Sequence, residues 1–435
     1  MSSLMIGVIG LAILLVLMAL RMHIGFAMAI VGFGGILVLT DDWFIAFNTI
    51  GVVPYSSVAT FLLIAVPLFT LMGRFAFHSG ISKDLYATAS TWMRHLPGGL
   101  AVATVGACAL FSAVSGSSLA AAASMGAIAI PEMLRRKIDP KLASGVVAAG
   151  GTLGIMIPPS LGMIIYGLIA EESIGTLLIA GLLPGIILAG AFMLVAMAWA
   201  LWKPEVAPRE APATWGERFR SLLGVWGILV LFFLVMGGIY IGYMTPTEAA
   251  AIGASGSLIL LVVRKGWSFP AIRDSLNETV GVTAMVFLIL IGAHVFAVFL
   301  ALSRLPTFLT DYLVGLEASP ILIMLVIFAG YVVLGCFLDT LAMIVLTVPI
   351  LLPAIKAMGY DPIWFGVMIV MVMEMGLITP PVGMIVYVIK GVVPQIPLSS
   401  IFRGSVPFVF AQIVVLLIFL FFPDIPLWVP RLMQE

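Results

Sequence analysis

The sequence predicts an all-α integral membrane protein with two inverted-topology repeats, about ten transmembrane helices and two re-entrant helical hairpins. Hydrophobic residues make up 63% of the 435 positions and charged residues only 9%, whereas a soluble domain carries about 25% charged residues. Long apolar runs recur along the chain, and one pattern of Pro, Gly and Asp residues occurs in both halves. The zero formal net charge argues against a nucleic-acid partner, and two cysteines and four histidines are too few for a disulfide framework or a metal cluster.

Ten apolar runs are long enough to be crossings, since about 20 helical residues span a hydrocarbon core of about 30 Å. They cover residues 4–20, 24–40, 57–78, 140–169, 174–202, 221–243, 247–263, 279–302, 362–389 and 406–422. The first run leads directly into the second, so we expect it to be a retained span and not a cleaved signal peptide.

Two further apolar stretches, 98–133 and 320–353, are interrupted in the middle. The first interruption is Ser115-Gly116-Ser117-Ser118, and the second extends from Gly335 to Thr340. A polar break at membrane depth is tolerated only where it is buried in protein or faces a watery cavity. We therefore predict two re-entrant hairpins; two ordinary short spans in each stretch remain the alternative.

The positions of Lys and Arg predict the orientation, because these residues remain on the cytoplasmic side of short loops. Placing the Arg135-Arg136-Lys137 cluster inside leaves only Arg304, Lys356 and Arg431 outside, so 17 of the 20 basic residues are cytoplasmic. Both termini then face the periplasm. The polar segment 203–221 becomes a cytoplasmic linker between a first repeat, 1–202, and a second repeat, 222–435.

The two halves share a motif at a constant spacing. Gly154, Pro158 and Pro159 recur 222 positions later as Gly376, Pro380 and Pro381, and the same offset relates Asp139-Pro140 to Asp361-Pro362. Such a register points to duplication rather than chance. Because each half contains five crossings, an odd number, the second copy enters the membrane from the opposite face, as in many secondary transporters.

The double prolines predict breaks in helices 140–169 and 362–389. Proline removes an amide donor and clashes with the preceding turn, which frees carbonyl groups in mid-membrane. Broken helices at matching positions of inverted halves mark a binding site. Pro158, Pro159, Pro380 and Pro381 are therefore candidate substrate-binding positions, with simple packing kinks as the alternative.

Polar residues at the two hairpin tips are the other candidates, because ionisable groups are costly in the hydrocarbon. Asp339 and Thr340 lie at the second tip, and the offset places Asp339 opposite Ser117. We predict that these residues and the first-tip hydroxyls bind substrate; close helix packing is the alternative for the serines. The predicted Na⁺ ligands are Ser115, Gly116, Gly150, Thr152, Gly154, Asp339, Gly376 and Thr379, and the predicted substrate-binding hydroxyls are those of Ser115, Ser117, Ser118 and Thr340.

Two glutamates have competing interpretations. Glu374 pairs by register with Thr152 and would either tune a cation site or form a structural salt bridge. Glu248 follows Thr245-Pro246 at a helix start, where a capping role explains it. The sequence contains no metalloprotease helix, nucleophile elbow or phosphate-binding loop, so neither an enzyme nor ATP-driven transport is indicated.

Several segments together resemble the large membrane subunit of the tripartite ATP-independent periplasmic (TRAP) transporters. They are Ser115-Gly-Ser-Ser118, Ile157-Pro-Pro-Ser160, Thr245-Pro-Thr-Glu-Ala-Ala250, Leu338-Asp339 with Pro349-Ile-Leu-Leu-Pro353, and Gly376-Leu-Ile-Thr-Pro-Pro-Val-Gly383. The resemblance implies sodium-driven uptake of organic anions, often C4-dicarboxylates, across the bacterial inner membrane by an elevator motion. It also implies two partners, a small four-helix membrane subunit and a periplasmic substrate-binding protein. Ile385 departs from the family, which usually has Asn there, so an amide contact to substrate is in doubt.

Two other functions remain open at this point. A self-sufficient sodium:dicarboxylate symporter of similar hairpin architecture would need no binding protein. A membrane-embedded enzyme or a scaffold without flux is disfavoured, because catalysis in lipid normally requires clustered His, Asp or Lys residues, which this sequence lacks.

Overall fold

The computed structural model describes residues 2–208 and 211–433, which fold into α-helices joined by short loops. The helices are α1 Ser3–Ala19, α2 Ile24–Thr40, α3 Trp43–Val58, α4 Ala65–His78, α5 Ile81–Met93, α6 Gly99–Ser115, α7 Ser118–Arg135, α8 Pro140–Met156, α9 Leu161–Ala170, α10 Ile174–Trp202, α11 Trp215–Tyr240, α12 Pro246–Lys265, α13 Phe269–Ser303, α14 Leu305–Gly315, α15 Pro320–Gly335, α16 Thr340–Ala357, α17 Pro362–Gly376, α18 Met384–Val392, α19 Leu398–Phe421 and α20 Asp424–Leu432. Short 3₁₀ turns cover Phe61–Ile64 and Pro204–Val206. The predicted all-helical membrane fold is confirmed.

Seven helical segments of the described chain are long and apolar enough to cross a membrane, or eight if the bent pair α8–α9 counts as one span. They are Phe61–His78, α10, α11, α12, α13, α16 and α19. Helices α1, α2 and α17, which match predicted crossings, have only 15 to 17 residues. At a rise of 1.5 Å per residue, α13 with its 35 residues is about 52 Å long and extends well beyond the hydrocarbon.

Some predicted boundaries are wrong. The run 57–78 is not one helix, because α3 ends at Val58 and a short break precedes the turn that leads into α4. Helix α11 begins at Trp215, inside the predicted linker, since Thr214 and Glu217 form a capping box there. Linker residues 209 and 210 lie outside the described residues. Helix α16 meets the length of a full span, so the hairpin assignment of 320–353 stays a prediction.

The helices pack in two groups, and each half of the chain contributes to both. Helices α1–α4 and α11–α13 form one group, in which α13 packs against α2, α3 and α4, and α12 packs against α4 and α11. Helices α6–α10 and α15–α20 form the other, centred on α8 with α6, α7 and α19 around it. We call them the outer group and the core group; α4–α6 and α13–α16 are direct contacts between them. Helix α5 bridges them by packing against α6 and α11, and α14 does so by packing mainly against α16.

Glycines allow the closest helix contacts within each group. In the core group a β-carbon at Gly145 of α8 would lie 2.1 Å from the carbonyl oxygen of Gly404 in α19, and in the outer group one at Gly292 of α13 would lie 2.1 Å from that of Gly25 in α2. Small residues at such crossings let backbones approach, which is how helices associate in lipid. Each group thus contains at least one crossing where two helix backbones are in contact.

The predicted orientation can be tested by cysteine labelling. Cys108 and Cys336 are both buried and free, and a background without them can carry single cysteines at the exposed positions 211 and 433. An impermeant maleimide added to intact spheroplasts should label Met433→Cys and reach Ala211→Cys only after permeabilisation. Labelling of Ala211→Cys in intact spheroplasts, with Met433→Cys protected, would show that the topology is the opposite of the predicted one.

Candidate functional site

The two hairpin tips have the same local structure. Ser117 is the N-cap of α7 and accepts a hydrogen bond from the amide of Ala120 at 3.4 Å. Asp339 is the N-cap of α16, and its Oδ1 accepts from the amide of Ala342 at 2.7 Å. These residues are the pair that the sequence repeat brought into register. Each tip therefore presents a helix N-terminus, whose first amides carry partial positive charge.

The first tip lies directly on the first helix break. Gly116 has a φ of +60°, and a β-carbon there would lie 2.9 Å from the carbonyl oxygen of Pro159. A β-carbon at Gly154, in the last turn of α8, would lie 2.6 Å from the backbone nitrogen of Ser118. Glycine is needed at both positions, which explains the spacing of glycines around the first proline pair.

The second tip contacts the second break in an analogous way. A β-carbon at Gly376, the last residue of α17, would lie 2.6 Å from the α-carbon of Gly335. The thiol of Cys336 donates to the carbonyl oxygen of Pro380 at 3.2 Å. The hydroxyl of Thr340, the first residue of α16, donates to Oε1 of Glu374 at 2.9 Å. Each hairpin tip thus packs against the broken helix of its own half.

Glu374 links the two tips. Its side chain is only 1% exposed, and besides Thr340 it lies close enough to Ser118 and Asp339 to interact with them electrostatically. Ser118, also 1% exposed, lies next to the Glu374 carboxyl group, but neither Ser118 Oγ nor Glu374 Oε2 forms a hydrogen bond of normal distance and angle with the described residues. Buried polar atoms without a partner are costly. Glu374 Oε2 and the neighbouring carboxyl group of Asp339 are oxygen ligands that suit a small cation.

The other predicted ligands are less accessible. Gly150 lies well inside α8, where its carbonyl belongs to the helical hydrogen-bond pattern, and not at a released end. The hydroxyl of Thr152, fully buried, donates to the carbonyl of Ala149 at 2.6 Å. The carbonyl of Gly376 accepts from the amide of Thr379 at 3.2 Å. Thr379 donates its own hydroxyl to the carbonyl of Met375 at 2.6 Å.

The two proline pairs differ in their surroundings. Pro158 and Pro159 are buried, whereas Pro380 and Pro381 are exposed. Irregular backbone at membrane depth must be covered by protein or bathed in water. The first break is covered by this chain, so the second is the one that opens onto a cavity or onto another protein.

The broken helices also pack against each other. The hydroxyl of Tyr166 in α9 donates to the carbonyl of Pro362 at 2.6 Å, at the start of α17. Ile385 is fully buried, and its amide donates to the carbonyl of Leu377 across the second break. An aliphatic side chain at position 385 thus packs into the core group.

Sequence reasoning missed the main partner of Glu374. Glu374 is the repeat equivalent of Thr152, but the register says nothing about contacts: Glu374 accepts its hydrogen bond from Thr340, and its described contacts include no basic side chain. The proposed structural salt bridge is therefore not formed by the described residues. Glu248, in contrast, forms a capping box with Thr245, as expected for a structural role.

The contact between the first break and the first tip makes Gly154 sensitive to substitution. We expect Gly154→Ala to destabilise the protein by about 1–3 kcal/mol, because the added methyl group overlaps the backbone of Ser118. Gly190→Ala in α10 is the matched control, since nothing lies within 4 Å of that position; both variants gain the same helix propensity. Thermal unfolding in detergent decides the comparison, and equal melting temperatures would show that the tip does not rest on α8.

A family model matches residues 11–425 of the chain; its description is "Tripartite ATP-independent periplasmic transporter, DctM component". The chain is 34% identical to the sialic acid TRAP transporter large permease protein SiaM of Vibrio cholerae over 94% of this chain and 95% of that protein. It is 37% identical to the C4-dicarboxylate TRAP transporter large permease protein DctM of Pseudomonas aeruginosa over 85% of this chain and 86% of that protein.

Two further proteins are similar over most of this chain. The isethionate TRAP transporter permease protein DctMQ of Oleidesulfovibrio alaskensis is 33% identical over 94% of this chain, which spans 65% of that protein's length. The fold resembles that of the YdaH transporter of Alcanivorax borkumensis, with a TM-score of 0.60, 14% identity and coverage of 86% of this chain and 88% of that one. The relatives named here are transport proteins and not enzymes. The helical membrane fold, the two broken helices and the match over residues 11–425 together show that the chain belongs to the family of the DctM component, the large permease subunit of TRAP transporters.

Proposed function

We propose that this chain is the large transmembrane subunit of a sodium-coupled, binding-protein-dependent secondary transporter that imports a small organic anion across the bacterial inner membrane by an elevator motion. The observation that carries the proposal is the meeting of the two hairpin tips at Glu374, where Glu374 Oε2 and the neighbouring Ser118 hydroxyl form no hydrogen bond of normal geometry with the residues that the structure describes.

Sodium coupling is supported by the chemistry of these oxygens. Asp339, Glu374, Thr340 and Ser118 supply hard oxygen atoms. His23 is the basic side chain near Asp339, whereas the described contacts of Glu374 include no basic side chain. A buried carboxylate without a counter-charge is strongly disfavoured. A bound Na⁺ would supply that charge and leave with the substrate, which couples their movements.

An organic anion as substrate is supported by the donors around the tips and by the relatives, whose names include sialic acid, C4-dicarboxylate and isethionate transporters. The N-termini of α7 and α16 direct amides toward the tips, and helix N-termini bind anions. The broken helices contain no Lys or Arg between Ser144 and Ile169 or between Ile363 and Ile389, so backbone amides and hydroxyls are the donors there.

An elevator motion is supported by the division of the helices. Both tips and both broken helices belong to the core group, which contacts the outer group through a limited set of helix pairs. A core group that slides along the outer group would carry the site as a unit and preserve its internal contacts, such as the hydrogen bond from Tyr166 to Pro362.

The partners that we propose are a small four-helix membrane subunit and a periplasmic substrate-binding protein, consistent with the three components in the family description. The outer group offers large exposed apolar side chains for lipid or a membrane partner, among them Phe44, Tyr55 and Phe233.

Partner dependence separates this proposal from a self-sufficient symporter. Uptake of radiolabelled succinate, isethionate and sialic acid would be measured in cells that express the chain alone, with a small subunit, or with both a small subunit and a binding protein from the same operon. We expect accumulation of one of these anions only when all three proteins are present. Full uptake by the chain alone would contradict the proposal and indicate a self-sufficient symporter.

A further inference from the structure

A small cavity lies beside the first hairpin tip, outside the cluster around Glu374. Its walls come from α4, the first hairpin, α9 and α13, and its volume is about 130 Å³. That is room for several water molecules. The residues that matter below are Arg74 and Phe77 of α4, Ser115 and Ser117 of the tip, and Val282 of α13. Arg74 is a basic residue beside the first tip, whereas the broken helices contain no Lys or Arg between Ser144 and Ile169 or between Ile363 and Ile389.

The position of Arg74 is fixed by its neighbour. A β-carbon at Gly73 would lie 3.0 Å from the carbonyl oxygen of Ser115, so α4 touches the tip backbone at that residue. Arg74 follows directly, and its side chain lines the same cavity as Ser115 and Ser117. The backbone of Arg74 is therefore held beside the tip by a contact between helices and does not depend on a flexible loop.

The tip side of the cavity offers unused hydrogen-bonding capacity. Ser115 Oγ is buried and has no hydrogen-bond partner among the described residues. Ser117 accepts only a long, 3.4 Å bond from Ala120 while its hydroxyl hydrogen can point into the cavity. The N-terminus of α7 begins at the next residue, and its first amides favour negative charge.

Arg74 has a partner that it can exchange at little cost. Its Nη1 lies 2.9 Å from Oε2 of Glu278 on α13, and the two side chains are 29% and 42% exposed. Ion pairs at such exposure contribute little, because water competes for both groups. His78 lies farther away, with Nε2 at 3.9 Å from Glu278 Oε1. Since a guanidinium has five donors in a fixed fork, it can bind a carboxylate or sulfonate with two hydrogen bonds.

We propose that Arg74 is a substrate-binding residue, and that the carboxylate or sulfonate group of the transported anion binds between its guanidinium and the hydroxyls of Ser115 and Ser117. The inference rests on the proposed function and names the chemical group that this side of the site recognises. The volume fits an anionic head group with a short chain.

Arg74 and the tip hydroxyls belong to different helix groups, which matters for transport. Arg74 belongs to the outer group, whereas Ser115 and Ser117 belong to the core group. The anion is therefore held from both sides only while the tip lies beside α4. When the core group moves, the anion leaves Arg74 behind and keeps only the tip hydroxyls and amides, so Arg74 favours binding in one of the two transport positions.

The test is the kinetics of uptake by the complete three-protein transporter, for whichever of succinate, isethionate or sialic acid the unmodified protein accumulates. Arg74→Gln should raise KM roughly 10- to 100-fold, the loss of a charge-assisted hydrogen-bond pair, with unchanged protein level. The KM of Arg74→Lys should lie between those of the unmodified protein and Arg74→Gln, because lysine keeps the positive charge but cannot form two parallel hydrogen bonds. Lys83→Gln, a charge loss at an exposed position on the neighbouring α5, is the matched control and should leave KM unchanged.

The exchange variant Arg74→Glu with Glu278→Arg separates anion binding from a structural ion pair. It restores the pair between α4 and α13 but places a carboxylate beside the tip, so we expect uptake to stay as poor as in Arg74→Gln or worse. Recovery of normal KM in the exchange variant, or a normal KM in Arg74→Gln, would overturn the proposal. Absence of uptake of all three anions by the unmodified transporter would instead count against the proposed substrate class, and with it against this inference.

Discussion

Asp339→Asn is expected to give a protein that folds and assembles normally but has lost most of its sodium-stimulated uptake. Asp339 caps α16 through Oδ1 at 2.7 Å from the amide of Ala342, and asparagine caps helices as well as aspartate does. The substitution therefore keeps the local structure and removes the negative charge that would attract Na⁺ within the membrane. Because a hydrogen bond or contact to a charged group is worth about 1.5–3 kcal/mol, the loss of sodium affinity should be at least tenfold.

A matched control exists in the same half of the chain. Asp361 caps α17 through Oδ1, also at 2.7 Å, from the amide of Ile363, but it lies at the far end of that helix from the site. Asp361→Asn should keep its sodium dependence. Uptake would be measured against sodium concentration for both variants in parallel. Equal and normal sodium activation would assign Asp339 a capping role only.

Leucine at the first tip is expected to abolish transport while leaving assembly with the small subunit intact. Ser118 is 1% exposed and lies beside Glu374, so a leucine there would displace the carboxylate or the tip. Ser117 lines the cavity beside Arg74, and a leucine would fill it. Ser118 lies inside the core group and Ser117 lines the cavity between the two groups, so both changes act away from the exposed apolar surface of the outer group.

Alanine at the same positions removes each hydroxyl group without adding bulk, so it separates the effect of a lost hydrogen bond from the effect of a filled cavity. Ser118→Ala should weaken substrate binding about fivefold, since one hydrogen bond contributes on the order of 1 kcal/mol. Ser117→Ala also removes a helix cap, so Ser173→Ala is its control: Ser173 caps α10 with a comparable 3.3 Å bond and is exposed. Full activity of both Ser117→Leu and Ser118→Leu, with the small subunit co-purifying, would move the substrate path away from this hairpin.

Much of the fold was predictable because Pro, Gly and Asp have roles that few other residues can fill. Asp139 and Asp361 cap α8 and α17, each with a proline in the first helical turn, and the helices end two to four residues before Pro158 and Pro380. The repeat is recognised from these positions, because Leu, Val and Ile replace one another freely at the positions between them. Helices such as α3, α5, α14 and α20 were not predicted, because they are short and lack a long apolar run.

The site was predictable only in part. The repeat placed Ser117 opposite Asp339, and both are N-caps of their hairpin arms. It could not reveal that Glu374 contacts Thr340, because that contact depends on how helices from different segments cross. Nor could it reveal that Pro158 is buried and Pro380 exposed, since two equivalent segments occupy different surroundings in one conformation. Arg74 was assigned to the cytoplasmic side from charge alone, which says nothing about the cavity it lines.

The most direct test of the central claim is the dependence of uptake on a sodium gradient in proteoliposomes. The complex of this chain with its small subunit would be reconstituted, and the binding protein loaded with the labelled anion would be added outside. We expect accumulation above equilibrium only with an inward sodium gradient, and its collapse with a sodium ionophore or when Asp339→Asn is reconstituted. Uptake that proceeds equally well when potassium replaces sodium on both sides would contradict a sodium-coupled site at the two hairpin tips.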